Sequence, residues 1–289
     1  MTLTKTTQKF MGKVSLITAK PFIIILSLFF VACQNPAQEE PITLFAESGL
    51  VMSATTGDIL FEKNMDNPLF PASTTKLMAI LLVMKELDKG TITTQTRVII
   101  SENAAGVPAS RAGFFAGDTV SVYHLIMAAM LPSGSEATMA LGEHIFGTEE
   151  DFVAAMNEKA RHLNMDNTHF TNSVGLDHHD HQTTAYDMAL LAKYFIHYYS
   201  DIFHFSSHIS YVYNGGGGNT ILMRNTNDML HIPGVNGLKT GSSPRAGSGL
   251  VFTYETGADT LIFVVMGAPD GALRRFDSQL LLERFTGEG

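Results

Sequence analysis

The sequence predicts an α+β fold, an antiparallel sheet flanked by helices with an all-helical lobe beside it. Three observations carry that expectation. Strand-like runs open and close the chain, patterns with helical spacing fill its middle, and no period of 20–50 residues repeats, which excludes a solenoid. If the terminal strands share one sheet, the helices between them must cover its faces or pack against one another.

Leu50-Val51-Met52 and Ile59-Leu60-Phe61, joined through Thr55-Thr56-Gly57-Asp58, read as a hairpin. Thr74 to Leu87 carries Leu77, Ile80, Leu81 and Met84 at helical spacing. Helical patterns recur over Ser121–Leu131, Glu136–Phe146, Glu149–Leu163, Thr184–Tyr199 and Ala272–Phe285. Strand-like runs return at Ile209–Tyr213, Thr220–Met223, Gly249–Tyr254 and Thr260–Met266, with Gly215 to Gly218 as a hairpin loop between the first two. No linker beyond the first 41 residues requires a second domain.

Of 289 residues, 45% are hydrophobic and 16% charged, a composition that can bury a core. Lys and Arg number 19 against 28 Asp and Glu, a net charge of −9. An acidic surface repels phosphate backbones and argues against a nucleic-acid partner. One cysteine excludes an internal disulfide framework and any multi-cysteine metal centre.

That cysteine is Cys33. It ends a leader in which Lys5, Lys9, Lys13 and Lys20 precede the apolar run Phe22–Ala32. As a helix this run spans roughly 17 Å, short of a ~30 Å hydrocarbon core. Phe30-Val31-Ala32-Cys33 resembles a bacterial lipobox, with Phe30 where leucine is usual. The resemblance implies a signal peptide over residues 1–32, a lipid on Cys33 and a membrane anchor. Residues 33–41 then form a polar tether, and residues 42–289 one folded domain.

Three short elements could share chemistry: Ser73-Thr74-Thr75-Lys76, Ser133-Gly134-Ser135 and Lys239-Thr240-Gly241. Each alone is weak, since a Ser-x-x-Lys match is expected about once in a chain of this size. Ser73 and Lys76 fall at an expected helix start, one turn apart on one face. A serine hydroxyl needs a base to become a nucleophile, and a lysine depressed by burial and nearby cations can serve. The bland alternative is an N-cap serine with a solvated lysine. Ser133-Gly134-Ser135 sits between two helical patterns and could merely cap the helix before Glu136. Lys239 is placed at the edge of a strand, beside glycines that let a ligand approach the backbone.

Taken together, these elements resemble the Ser-x-x-Lys, Ser-x-Asn and Lys-Thr-Gly set of the serine penicillin-recognising enzymes. The context narrows the resemblance. Pro71-Ala72-Ser73-Thr74-Thr75-Lys76-Leu77-Met78 is similar to the nucleophile segment of the D-alanyl-D-alanine carboxypeptidases, the low-molecular-mass penicillin-binding proteins. So are Asn167 to Asn172, Gly175-Leu176-Asp177, His181, Thr183-Thr184-Ala185, Asp187 to Leu190, and Gly234 to Gly241. The resemblance runs from about Leu50 to Phe285.

It implies the β-lactamase/DD-peptidase-like fold and a serine carboxypeptidase acting on the peptidoglycan pentapeptide, with no cofactor or metal and β-lactams as inhibitors. By the same resemblance Ser73 is the acylated nucleophile, Lys76 its base, and Ser133 the proton relay to the leaving D-alanine. Lys239 supports the field. Ser135 and Gly241 line the substrate, and Thr240 and Arg274 hold its terminal carboxylate. The backbone N–H groups of Ser73 and Ser242 form the oxyanion hole.

Two departures stand out. Ser135 replaces the usual asparagine, exchanging an amide donor and acceptor for one short hydroxyl. Many relatives also add a β-rich domain and an amphipathic C-terminal anchor, and a lipid at Cys33 could supply that attachment. The rival readings are a class A-type β-lactamase, whose water-activating glutamate would be sought among Glu149, Glu150 and Glu158, and a catalytically weak wall-peptide-binding lipoprotein. Asp177-His178-His179-Asp180-His181 is dense in metal ligands, but a zinc site needs convergent geometry. His144, His162 and His197 read as surface or satisfied core residues, and Tyr194-Phe195 with Tyr198-Tyr199 as core.

Overall fold

The computed structural model describes residues 41–215 and 220–287. The expected leader, Cys33, the tether short of Pro41, and Gly216 to Gly218 lie outside the described residues.

Chain order begins with β1 (Ser48–Ser53) and β2 (Ile59–Lys63), then α1 (Lys76–Asp88), β3 (Arg97–Ile99), α2 (Glu102–Gly106) and β4 (Thr119–Ser121). Helices α3 (Val122–Met130), α4 (Ser135–Phe146), α5 (Glu149–His162), α6 (Ala185–Tyr198) and α7 (Ile202–Ser206) follow. The chain closes with β5 (Ser210–Asn214), β6 (Thr220–Arg224), β7 (Val235–Ser243), β8 (Gly247–Glu255), β9 (Thr260–Ala268) and α8 (Gly271–Thr286).

The terminal strands do share one sheet, antiparallel throughout, in the order β2-β1-β9-β8-β7. β3–β4 and β5–β6 are separate two-stranded ribbons. Side chains alternate between the sheet's two faces because a strand has a period of two. Leu50, Met52, Ile262 and Val264 face the helical lobe built by α1, α3, α4 and α6. Val51, Phe252, Phe263 and Val265 face α8, packing with Leu281 and Leu282. Phe252 and Phe263 are cross-strand partners stacked with ring centroids 4.7 Å apart. Both faces are covered, which explains why β9 reads as an almost unbroken apolar run.

Helix starts follow local capping. Thr184 accepts from Asp187 N, and Asp270 from Leu273 N, satisfying N–H groups that a helix leaves orphaned. Three expectations are corrected. Lys239 lies inside β7 rather than at a strand's end, and β7 is itself the edge strand of the sheet. Ser133 and Ser135 cap nothing, since Gly134 is the N-cap residue of α4 and no side chain closes it. Of the aromatic run at the end of α6, Phe195 is buried and Tyr194 and Tyr199 pack half-buried against the core, but Tyr198 is 61% exposed. The short pieces β3, α2, β4 and α7 carry too few residues for a periodic signal.

Candidate active site

Ser73 sits in a 3₁₀ turn, Ala72–Thr75, that runs directly into α1. Thr74 ties the turn down, donating to Pro71 O from N (3.2 Å) and Oγ1 (2.7 Å). Lys76 is the first residue of α1 and fully buried, with Nζ 3.0 Å from Ser73 Oγ. It also donates to Val174 O at 2.9 Å, which aims the amine at the serine. Burial first, then the positive Lys239, push the Lys76 ammonium well below the usual lysine range, while the Glu136 carboxylate pulls the other way. A lysine whose neutral form is favoured in this way can accept a proton from a neighbouring hydroxyl.

The segment supplying that carbonyl folds around Asn172. Its Oδ1 accepts from Gly175 N (2.8 Å), Leu176 N (2.9 Å) and Val174 N (3.3 Å), and its Nδ2 donates to Leu176 O. Asp177, next along, accepts from Ser243 Oγ (2.6 Å) and Arg245 N (3.4 Å), tying the segment to the end of β7. His181 reaches back to the nucleophile turn. Thr171 N donates to its Nδ1 (3.0 Å), so the proton sits on Nε2, which donates to Thr75 Oγ1 at 2.8 Å. Burial, then His169 and His178, hold His181 down to about 4, keeping it neutral.

Ser133 occupies the turn between α3 and α4 with φ 65°, a left-handed conformation costing a non-glycine residue about 1–3 kcal/mol. Its carbonyl accepts from Ser110 Oγ (2.6 Å), and Ser110 O accepts from Ser135 N (2.8 Å). Ser133 and Ser135 are buried, and neither Oγ has a hydrogen-bond partner among the described residues. Glu136, also buried, accepts through Oε1 from the N–H groups of Ala112 (2.7 Å), Gly113 (2.8 Å) and Phe114 (3.2 Å).

In β7, Lys239 is buried and Nζ donates to Thr240 O (3.1 Å). Burial, then the charge of Arg274, lowers it to about 7. Thr240 Oγ1 lies 2.5 Å from Thr226 Oγ1, and Thr226 N donates to Leu131 O at the end of α3, so Thr226 joins the third element to the second. Gly241 sits against the nucleophile turn, where an added Cβ would stand 2.6 Å from Pro71 O. Ser242 is exposed and pairs with Ser248 of β8. Arg274, in the first turn of α8, is buried behind β8, its Nη2 on Asp228 Oδ1 (2.8 Å) and its Nη1 on Ser248 Oγ (3.4 Å).

The fold thus stitches the three elements into one site through Asp177–Ser243, Gly241–Pro71 and Thr226. Sequence reasoning placed Asn172 in a family-like stretch without giving it a role, and missed Thr226, Glu136 and the Val174 carbonyl. For Glu136 a signal existed, a carboxylate directly after the second element and at the start of a largely apolar helix. Of the histidine-rich loop, His178, His179 and Asp180 converge at the surface with ligand atoms within 4.8 Å, whereas Asp177 and His181 are engaged by the site. Among the rival bases, Glu149 accepts from Ser173 Oγ (2.9 Å), and Glu150 and Glu158 are exposed.

A serine one turn from a buried, depressed lysine, in a fold built on a five-stranded antiparallel sheet, is the arrangement of the Ser–Lys class of serine enzymes. The chain belongs to the D-alanyl-D-alanine carboxypeptidase family, whose model matches residues 34–270. It is 37% identical over 224 residues to the D-alanyl-D-alanine carboxypeptidase DacF of Bacillus subtilis, covering 77% of this chain and 57% of that protein's length. The fold is similar to the D-alanyl-D-alanine carboxypeptidase DacD of Francisella tularensis, with a TM-score of 0.79 and 32% identity over 89% of this chain and 75% of that one. It is also similar to penicillin-binding protein D2 of Listeria monocytogenes in its cefotaxime-bound form, with a TM-score of 0.75 and 28% identity over 84% and 98%.

Proposed function

We propose that this protein is a serine D-Ala-D-Ala carboxypeptidase that removes the terminal D-alanine from peptidoglycan stem peptides. The observation that carries the reading is the 3.0 Å approach of a fully buried, depressed Lys76 to Ser73 Oγ. Ser73 Oγ attacks the carbonyl of the D-Ala-D-Ala bond while its proton passes to Lys76 Nζ. The negative charge on the carbonyl oxygen is met by the N–H groups of Ser73 and Ser242, where each donor contributes about 3–4 kcal/mol. The C–N bond breaks as Ser133 relays the proton to the departing D-alanine amine. Water then attacks the Ser73 ester, delivers its proton through Lys76 and frees the shortened peptide. Ser135 and Gly241 flank the peptide. Thr240 receives its carboxylate, whereas Arg274, expected to hold that carboxylate too, is buried and paired with Asp228 and Ser248 and contributes positive field instead.

A β-lactam places its ring amide where the scissile bond lies and acylates Ser73 without releasing a leaving group, so penicillin inhibits. Cefotaxime on the Listeria relative supports this. The engaged Glu149 and the exposed Glu150 and Glu158 favour a long-lived adduct over a β-lactamase.

Residues 1–32 direct export and Cys33 carries a lipid, leaving residues 33–41 as a tether and residues 42–289 as the enzyme on the extracytoplasmic face of a bacterial membrane. Among the described residues no helix is long and apolar enough to cross a membrane. Intact-mass measurement after penicillin and after a D-Ala-D-Ala peptide tests the activity. One penicilloyl adduct per chain and release of D-alanine are expected, and neither appearing refutes it. A diacylglycerol mass on wild type, absent from Cys33→Ser, tests the anchor. A mature chain that begins elsewhere refutes it.

A further inference from the structure

We propose that Glu136 is a positioning residue for acylation: its carboxylate fastens the Ser110–Phe114 loop onto the strained Ser133 turn and sets the charge around Lys76. This rests on the Ser–Lys reading above and extends it to a residue outside the three elements.

The case begins with Ser133, which must hold a left-handed backbone that its side chain disfavours. Such a conformation persists only where neighbouring bonds over-determine it. Here they come from one loop. Ser110 Oγ donates to Ser133 O, Ser110 O accepts from Ser135 N, and a Cβ on Gly134 would stand 2.8 Å from Ala112 Cβ. That loop has its own fastener. Glu136 Oε1 takes the three consecutive N–H groups of Ala112, Gly113 and Phe114, an arrangement suited to an anion. The fastener is therefore anchored one residue after the element it secures.

A neutral acceptor could serve the loop alone, so the charge calls for a separate account. Glu136 is fully buried, and its second oxygen, Oε2, has no partner among the described residues. Arg111, the nearest cation along the loop, turns its guanidinium to the carbonyls of Ala105 and Phe114 instead. Glu143, one turn or more further along α4, is occupied by Ser101 and Asn103. The charges that bear on Lys76 are Lys239 from β7 and Glu136 from α4, and Lys239 feels Arg274, itself paired with Asp228. His181, reaching the nucleophile turn through Thr75, is neutral at working pH. Glu136 thus offsets a cluster of cations around the base. Its negative charge favours the protonated form of Lys76, against the effect of burial and Lys239.

Glu136→Gln separates the two roles. Its amide oxygen can still accept from the loop, but the charge is gone. The measurement is the acylation rate constant, k2/K, with one penicillin from pH 5 to 10, alongside thermal unfolding. Glu136→Gln should unfold near the wild-type temperature, move the acid limb of the profile to lower pH and lower the plateau about tenfold. A profile that coincides with wild type overturns the charge role. Ser110→Ala keeps the charge and loosens the clasp. It should lower k2/K about tenfold with the acid limb unmoved, and an unchanged rate overturns the clasp. This variant decides the matter if Glu136→Gln fails to fold. Wild-type protein that forms no adduct overturns the catalytic reading and this inference together, whereas a wild-type adduct with unaffected variants overturns this inference alone.

Discussion

Gly175 presses on Ala72 so closely that a Cβ on the glycine would stand 1.9 Å from the Ala72 carbonyl oxygen and 2.9 Å from Ser73 N. The contact matters because Gly175 follows Val174, whose carbonyl aims Lys76. One backbone segment therefore positions both the nucleophile turn and its base, and only a residue without a side chain lets it approach. Gly175 also has φ +89°, which penalises any replacement independently. Gly175→Ala should cost about 3 kcal/mol, a fall of roughly 6–12 °C in Tm for a domain of this size. Acylation should fall more than tenfold in the fraction still folded. Thermal unfolding and penicillin labelling check both, and an alanine variant with wild-type values would show that the contact relaxes freely.

Ser73→Ala should abolish penicillin labelling while circular dichroism and Tm stay near wild type. Lys76→Ala should slow acylation roughly 10²–10⁴-fold, the usual contribution of general-base help. Stopped-flow labelling distinguishes the two, and undiminished acylation in both variants would remove the assignment.

The pH profile of acylation should report the crowding of cations. Lys76 works as a base only when neutral, so the rate rises with pH through its titration. Burial and Lys239 disfavour the protonated form, which places that rise well below the ordinary lysine range. Removing a positive neighbour makes protonation easier. Lys239→Ala should therefore move the acid limb to higher pH, opposite to the shift expected for Glu136→Gln. The sign of the displacement in k2/K against pH is the test.

Ser135→Asn should acylate about tenfold faster, equivalent to roughly 1.4 kcal/mol of transition-state stabilisation. Ser135 Oγ is buried without a partner among the described residues, and an amide there could both donate and accept toward a bound peptide. Orientation lowers the barrier by holding the reacting atoms near attack distance. The rate should be compared with one penicillin and one peptide thioester. If the variant is equal or slower on both, Ser135 is an adapted part of the site.

His181 should make the fold acid-sensitive. Its ordinary value is 6.5 and the folded state holds it to about 4. Between those limits the unfolded chain binds the extra proton, so stability is fully present above 6.5 and drains away as pH falls toward 4. The loss approaches about 3 kcal/mol. Urea unfolding at pH 7 and pH 4.5 should show it. His181→Asn should be less stable at pH 7 and show a smaller difference between the two, and equal slopes for variant and wild type would exclude His181 as the cause.

The amino-acid order alone determined what is local. The helix and strand spans follow from periods of 3.6 and 2, set by backbone geometry within a few residues. The pairing of Ser73 with Lys76 is of the same kind, since three residues are one turn. The family was legible too, from Pro71 to Met78 and Gly234 to Gly241. Tertiary structure decided what those residues can do. Lys76 is aimed by a carbonyl 98 positions away, and Thr75 is held by His181 at a separation of 106. A backbone carbonyl carries no residue-type signal, so no sequence pattern announces Val174. The depressed lysines depend on burial and on the charges of Lys239, Glu136 and Arg274 brought together from β7, α4 and α8, and Lys239 gained its place inside a strand only when β7 paired with β8. Glu136 looked like a helix-start residue because the N–H groups it holds belong to a loop more than 20 positions earlier. Burial and charge are sums over neighbours in space, and the chain sets those neighbours only by folding.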